Sequence, residues 1–406
     1  MAEQNKQNVR RRSLITQVIL VVVSVTAITL LLEHAGWLQG FERAAMDAWL
    51  RAKLNLAPAA QSHEVVIISI TDQDYDDIFK RRSPLDKTAL EEIITAITAA
   101  QPLVVGVDID TAEEEFKDFK LPQAIPIIWA EDASIDESNH SVEVTSPALG
   151  GAKADSLLTG IAVMPMESDG VVRSFVRKLG SHDVFSWVIA KTYCAHVEKA
   201  RTTALIPVNA NVLERCTVIR GMPGDAVNEE ELALDLLGGQ ARFEHISARE
   251  VLDAHKWGKS EILNKLRGRA VLFGGTFRAG RDEYTTPLGR MAGIELMAHS
   301  LESELQGPFR KPKKTTMLVL NLLGGIGILL LFVRFGVVKG CLLSLAAVFV
   351  IAPIWSLIAF GSLSFFVYFV VILGALLIHQ LYEQAHYVQH KYLHELKTEE
   401  QAERRL

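Results

Sequence analysis

The chain of 406 residues has only three cysteines, little net charge and none of the short motifs that mark nucleotide or hydrolase chemistry. Cys341 lies in an apolar run, Cys194 in a helix-like stretch and Cys216 in an apolar, strand-like one. Spacing does not decide whether Cys194 and Cys216 pair, and two buried free thiols is the expectation. The net charge of −6 comes without a basic block interleaved with aromatics, so nucleic acid is excluded as the expected partner. No G-x-x-x-x-G-K-S/T or G-x-G-x-x-G is present, which argues against a phosphate-cradling nucleotide loop. Neither H-E-x-x-H nor G-x-S-x-G occurs, so no hydrolase constellation stands out and no cofactor is expected.

What the chain does have is long apolar runs, unevenly placed. Residues 14–32 form one run, about 19 residues long and sufficient to cross the hydrocarbon as a helix. Arg10–Arg12 would suit the n-region of a signal peptide, but the apolar part is too long and no A-x-A-like site follows. An uncleaved anchor is the expectation. Three further runs, 317–333, 340–360 and 363–381, are separated only by turns, and no ionisable residue lies mid-span to mark a transport pathway. Four spans put residues 1–13 and the tail, 382–406, on the same side. Lys6, Arg10–Arg12, Arg334, Lys339, Lys391 and Lys397 make that side cytoplasmic under the positive-inside rule. Arg310, Lys311, Lys313 and Lys314 oppose the rule, although long segments translocate largely regardless of charge.

Residues 33–313 are then an outer domain. The run 63–71 reads as a buried strand ending at Asp72 and Asp74. Ser83, Pro84 and Asp86 resemble a helix start, and Leu90, Ile93, Ile94 and Ile97 mark one apolar helix face. A second buried strand, 103–109, ends at Asp108 and Asp110. This βαβ pattern predicts a parallel pair with a right-handed crossover. Further strands are expected at 125–130, 204–208, 217–220 and 269–273, and helices at 185–200, from 248 to 252 and at 292–305. Asp169-Gly170 suggests a hairpin turn between strands at 157–164 and 171–179, and 223–231 reads as a loop. His196 reads as an ordinary surface or core histidine. The expected fold is an α/β extracytoplasmic domain with a mostly parallel sheet, plus four transmembrane α-helices.

In parallel sheets ligands bind beyond the carboxyl ends of the strands. Those ends carry Asp72, Asp74, Asp108 and Asp110, and the turn Gly274-Gly275-Thr276 with Arg278 beyond it. Asp108 and Asp110, two apart, would face the same way on a strand and with Asp72 could hold a hard cation or a polyol. The plainer reading is that these acids cap helices and end strands. A Gly-Gly-Thr turn can also cradle an anion on its N–H groups. In the tail Leu381, Ala385, Val388 and Tyr392 have coiled-coil spacing, which suits a homodimer or docking on a partner.

Several segments together resemble the second type of the CHASE family, extracytoplasmic sensory domains found on bacterial cyclases and histidine kinases. The matching pieces are residues 41–51, 65–74, 102–110, 169–173 (DGVVR), 243–252 and 270–305. The last is the most specific, with the GGT turn, Asp282, Thr286-Pro287-Leu288-Gly289, Gly293-Ile294-Glu295 and Ala298-His299. The chain departs from the family in having Arg82-Ser83-Pro84-Leu85-Asp86 where members usually carry a Trp-Pro-x-x-Arg-like stretch, and the expectation is that no output domain is fused after residue 381. The resemblance implies sensing at the bacterial inner membrane, with both termini cytoplasmic and the signal leaving to a separate effector such as a kinase or cyclase. Candidate ligand-binding residues are Asp72, Asp74, Asp108, Asp110, Thr276, Arg278 and Asp282. The competing expectation is an anchored enzyme using Asp72, Asp108 and Asp110 with a metal.

Overall fold

The computed structural model describes residues 61–310, apart from short stretches at 121, 123–124, 137–140, 150–156, 203–209, 223–231, 237–238 and 308, with scattered residues at 40–54 and 319–350. The chain divides into two compact units, Leu50–Lys311 and the segments Met1–Trp49 with Pro312–Leu406. The apolar runs and the tail positions Leu381, Ala385, Val388 and Tyr392 lie wholly or largely outside the described residues. Among the described residues, no helix is long and apolar enough to cross a membrane.

The unit Leu50–Lys311 is a mixed α/β fold around a seven-stranded sheet. Its strands are β1 (Val65–Ile70), β2 (Val104–Asp108), β3 (Ile127–Asp136), β4 (Ser141–Thr145), β5 (Leu158–Ile161), β6 (Glu244–Ser247) and β7 (Ala270–Gly275). The order is β6-β1-β7-β2-β3-β4, with β5 beside the first half of β3; every pairing is parallel except β3 with β4. A hairpin of β8 (Glu283–Thr286) and β9 (Gly289–Ala292) follows.

The helices are α1 (Asp72–Asp77), α2 (Lys87–Ala99), α3 (Phe185–Thr202), α4 (Ala210–Gly221), α5 (Ala248–Trp257), α6 (Ser260–Leu266) and α7 (Gly293–Gln306). The central strands read as unbroken β-branched runs because both sheet faces are covered. Val65, Ile67, Val104, Ala270 and Leu272 join one core with residues of α3, α4 and α7, while Val66, Ile68, Val105, Val271 and Phe273 join another with α2 and α5. Alternation along each strand sends successive side chains to opposite cores.

Several expectations are corrected. β1 and β2 are parallel but not paired, because β7 inserts between them. α2 is capped by Asp86, whose carboxylate accepts from Ala89 N at 3.0 Å, and not by Ser83. Asp169-Gly170 forms a tight turn with Gly170 at φ 75°, yet the segments beside it do not pair as a hairpin. Residues 217–220 are helical, not a strand; Val212, Cys216 and Ile219, the buried face of α4, recur at i, i+4 and i+7.

The largest correction concerns the cysteines. Cys194 on α3 and Cys216 on α4 are bridged, with Cα atoms 4.9 Å apart. Both project from facing sides of packed helices, a proximity that separation along the chain does not reveal. Removing the bridge by Cys194→Ala with Cys216→Ala should cost about 3 kcal/mol for a loop of this length. Guanidinium unfolding would read that loss, and an unchanged midpoint would show that the bridge adds no constraint.

The last helix of this unit, α7, is buried from Gly293 to Leu305, including His299, Ser300, Glu302, Ser303 and Glu304. Such groups persist inside only when paired. Glu304 accepts from Arg177 Nε (2.6 Å) and Nη2 (2.7 Å), and its backbone carbonyl accepts from Arg215 Nε. Glu302 accepts from Ser62 Oγ (2.8 Å), Gln306 Nε2 (2.7 Å) and Arg242 Nη2 (3.4 Å).

Candidate functional site

A cleft opens beyond the carboxyl ends of β2 and β7, in two adjoining lobes of about 220 and 640 Å3. Asp108, Asp110, Asp132 and Asp282 line both. The inner lobe adds Thr111, Tyr284 and the start of α7 at Gly293 and Met297. The outer lobe adds Arg82, Glu113, Tyr75 and Phe277, the two rings stacked with centroids 4.4 Å apart.

Asp108 is the last residue of β2 and is half-buried, where the rest of that strand is fully buried. Burial, and then the adjacent Asp282 carboxyl, push its pKa up to about 7. Burial raises Asp282 as well, while a hydrogen bond from the Tyr284 hydroxyl and one from Gly293 N–H pull it back. Two carboxyls so close cannot both ionise freely, and the one with donors keeps the charge. Asp282 has those donors, so Asp108 is the group that holds the proton. The Tyr284 hydroxyl is raised to about 12 by burial and by Asp282, Asp108 and Asp132, and stays a donor at neutral pH.

Glycine at 293 is required by this contact. A Cβ there would lie 2.1 Å from Asp282 Oδ2. The Asp282 carbonyl also accepts from Gly293 N at 3.0 Å, which ties the loop before β8 to the first turn of α7.

The expected site residues separate into two groups. Asp108, Asp110 and Asp282 meet in the cleft, although Asp110 falls beyond the end of β2 and is exposed, accepting from Ala112 N. Asp72 and Arg278 do not join them. Arg278, 90% exposed at its side chain, donates its N–H to Asp72 Oδ1 at 2.9 Å outside the cleft wall. Asp74, 2% exposed, caps α1 by accepting from Thr71 N and Oγ1. The Thr276 N–H and hydroxyl both donate to the Ile70 carbonyl. Among the described residues, no group of three or more His, Cys, Asp or Glu is placed to hold a metal ion.

Asp132, Thr111 and Tyr284 were not singled out from sequence. Tyr284 stands two residues after Asp282 at a strand start, which in hindsight places both on one side of the chain.

The family profile of the CHASE2 domain matches residues 19–338. The chain belongs to the CHASE2 domain family. CHASE2 is a family of sensory extracellular domains and not a catalytic one. No curated protein and no solved structure matches the chain.

Most of the family-like motif residues in this CHASE2 chain act as scaffold. Arg173 of the DGVVR segment is buried and pairs with Asp169 and Glu167. Thr286 closes the β8–β9 turn by donating to the Gly289 carbonyl and accepting from Leu288 N. Glu295 reaches back to accept from Ala292 N at the start of α7. His299 is packed edge-on to Phe243, with Nδ1 2.9 Å from the Asp235 carbonyl oxygen. From the 270–305 segment, Gly275, Phe277, Asp282, Tyr284, Gly293 and Met297 line the cleft.

Proposed function

We propose that this CHASE2 chain is a membrane-anchored receptor of the bacterial inner membrane. Its outer domain binds a ligand in the Asp108–Asp282 cleft and relays occupancy to a separate cytoplasmic effector. The observation that carries this reading is that the cleft is walled by the first two turns of α7, at Gly293 and Met297. α7 is the last long helix before the apolar run 317–333, so a ligand that moves its N-terminus acts on the segment leading into that run.

Four apolar runs of spanning length support anchoring, and the Cys194–Cys216 bridge suits an oxidising compartment outside the cytoplasm. Both termini are cytoplasmic on this reading, and the helical tail at Leu381, Ala385, Val388 and Tyr392 dimerises or docks on a kinase or cyclase. A ligand shifts such a receptor only by its difference in affinity for the two states. The contact of Asp282 with Gly293 is the element whose geometry would differ between them.

A reporter cyclase fused after Leu381 tests the relay. Its output should change several-fold when Leu50–Lys311 is deleted, and in the same assay Asp108→Asn should shift the output of the intact chain. A constant signal across all three would sink the receptor reading.

A further inference from the structure

We infer that the cleft receives a small organic cation carrying a primary ammonium or guanidinium head, seated in the inner lobe against Asp108, Asp282 and Asp132. The inference rests on the receptor reading and names the ligand class of the same site.

The charge balance comes first. Asp108, Asp110, Asp132, Asp282, Glu113 and Glu131 line the cleft, against the one guanidinium of Arg82, which lies 3.6 Å from Asp86. A cleft lined by one sign of charge concentrates ions of the other. An anion is therefore disfavoured throughout.

The hydrogen-bonding inventory points the same way. Asp282 is held by Tyr284 and Gly293, and Asp132 Oδ1 accepts from Ala133 N. The half-buried Asp108 carboxyl, by contrast, has no hydrogen-bond partner among the described residues and lines the cavity. Thr111 gives independent support. It is 1% exposed, lines the inner lobe, and its hydroxyl has no partner among the described residues. Buried polar groups in folded proteins almost always have partners. The buried Thr111 hydroxyl and the half-buried Asp108 carboxyl beside one cavity leave acceptors to be filled, and an ammonium with its three donors fills them.

Size and shape then exclude a bare ion. No metal-holding group of acids is assembled among the described residues, and the lobes hold a molecule of several heavy atoms. The stacked Tyr75 and Phe277 rings give the outer lobe an apolar wall for a methylene stem. A second cationic head would meet Asp110 and Glu113.

Binding a cation must displace the proton from Asp108, whose surroundings are Asp282 and Tyr284 from the β8 side, Glu131 and Asp132 from β3, Asp110 beyond β2, and Arg82 and Glu113 across the outer lobe. A neutral polyol would leave that proton in place. The two ligand classes are thus separable by proton release.

The test is titration calorimetry on the full chain in detergent, with putrescine and agmatine as probes and 1,4-butanediol as the neutral match. At least one amine should bind at pH 7.5 at least tenfold more tightly than butanediol, with heats that vary with buffer ionisation enthalpy as protons are released. Affinity should fall about tenfold from pH 8 to pH 6, as a carboxyl near 7 takes up its proton. Asp108→Asn should weaken binding at least tenfold and end proton release while melting remains cooperative; Thr111→Val should weaken it less. No saturable heat with either amine, equal binding of butanediol, or unchanged affinity in Asp108→Asn would overturn the inference. Amine binding with a reporter that never responds overturns the receptor reading and leaves the cation site standing. A responsive reporter on a chain that binds neither amine overturns the cation class alone.

Discussion

Replacing Arg177 with methionine is expected to destabilise the outer domain by about 3–5 kcal/mol, enough to remove much of a typical domain's stability. Glu304 is 1% exposed on the buried helix α7, and Arg177 meets both its oxygens, at 2.6 and 2.7 Å. The guanidinium also stacks over Trp187, 4.7 Å from the ring centroid. Arg215 Nη2 remains 3.7 Å from Glu304 and cannot replace a bidentate partner. Methionine keeps the volume but leaves a carboxylate that has lost its water and its main counter-charge. Removing both charges, as Arg177→Met with Glu304→Leu, should recover most of the loss, because the penalty lies in the orphaned ion rather than in the missing attraction. Denaturant unfolding followed by tryptophan fluorescence would measure this. A single-variant loss under about 1 kcal/mol would mean that water reaches Glu304.

The second large effect is a dependence of stability on pH. The Asp108 carboxyl has its pKa raised to about 7 in the folded domain, against the ordinary 3.8 that it regains on unfolding. The folded state therefore keeps a proton that the unfolded state releases. For a pKa raised on folding, the stabilisation is complete below about pH 3.8 and is lost progressively as pH rises to about 7. Asp282, also raised, adds in the same direction. Complete loss amounts to about 4 kcal/mol from Asp108 at most. Asp108→Asn has no proton to lose, so its stability should be flat across that window apart from other groups. At pH 8 it should exceed the natural chain by about 1–4 kcal/mol. Melting curves at pH 5 and pH 8 decide the matter. Equal pH slopes in the two proteins would show that Asp108 ionises in the fold as it does in water. A stability gain on removing this acid would mark it as held for function and not for folding.

Legibility varied with how local the cause was. The strands at 65–70, 104–108 and 270–275 were readable because burial on both faces demands continuous apolar residues, and that demand is written in the strand itself. The face of α2 was readable for the same reason. Its cap was misplaced because Ser83-Pro84 and Asp86 offer competing starts three residues apart, and backbone geometry selects Asp86. α4 was misread as a strand at 217–220 because Thr, Val and Ile there favour extended chain, whereas packing of Cys216 and Ile219 against the core decides for helix.

Within the site, the strand-end rule led to Asp108 and Asp110, and the family resemblance to Asp282. Asp72 obeys the same rule and still stands outside the cleft. Asp132 and Thr111 carried no local signal at all, since one sits in a polar stretch of β3 and the other in a loop.

The sequence by itself determined the buried strands, the apolar runs of membrane-spanning length and membership of the CHASE2 family, because each depends on residue pattern along a contiguous stretch. Tertiary structure alone decided that β7 lies between β1 and β2 and that Cys194 meets Cys216. It also decided that Asp108 shares its cavity with Asp282 while Asp72 is taken by Arg278. Those outcomes depend on which distant segments become neighbours. An acid's charge state is set by that company, through lost water and nearby charge, and not by its place in the chain.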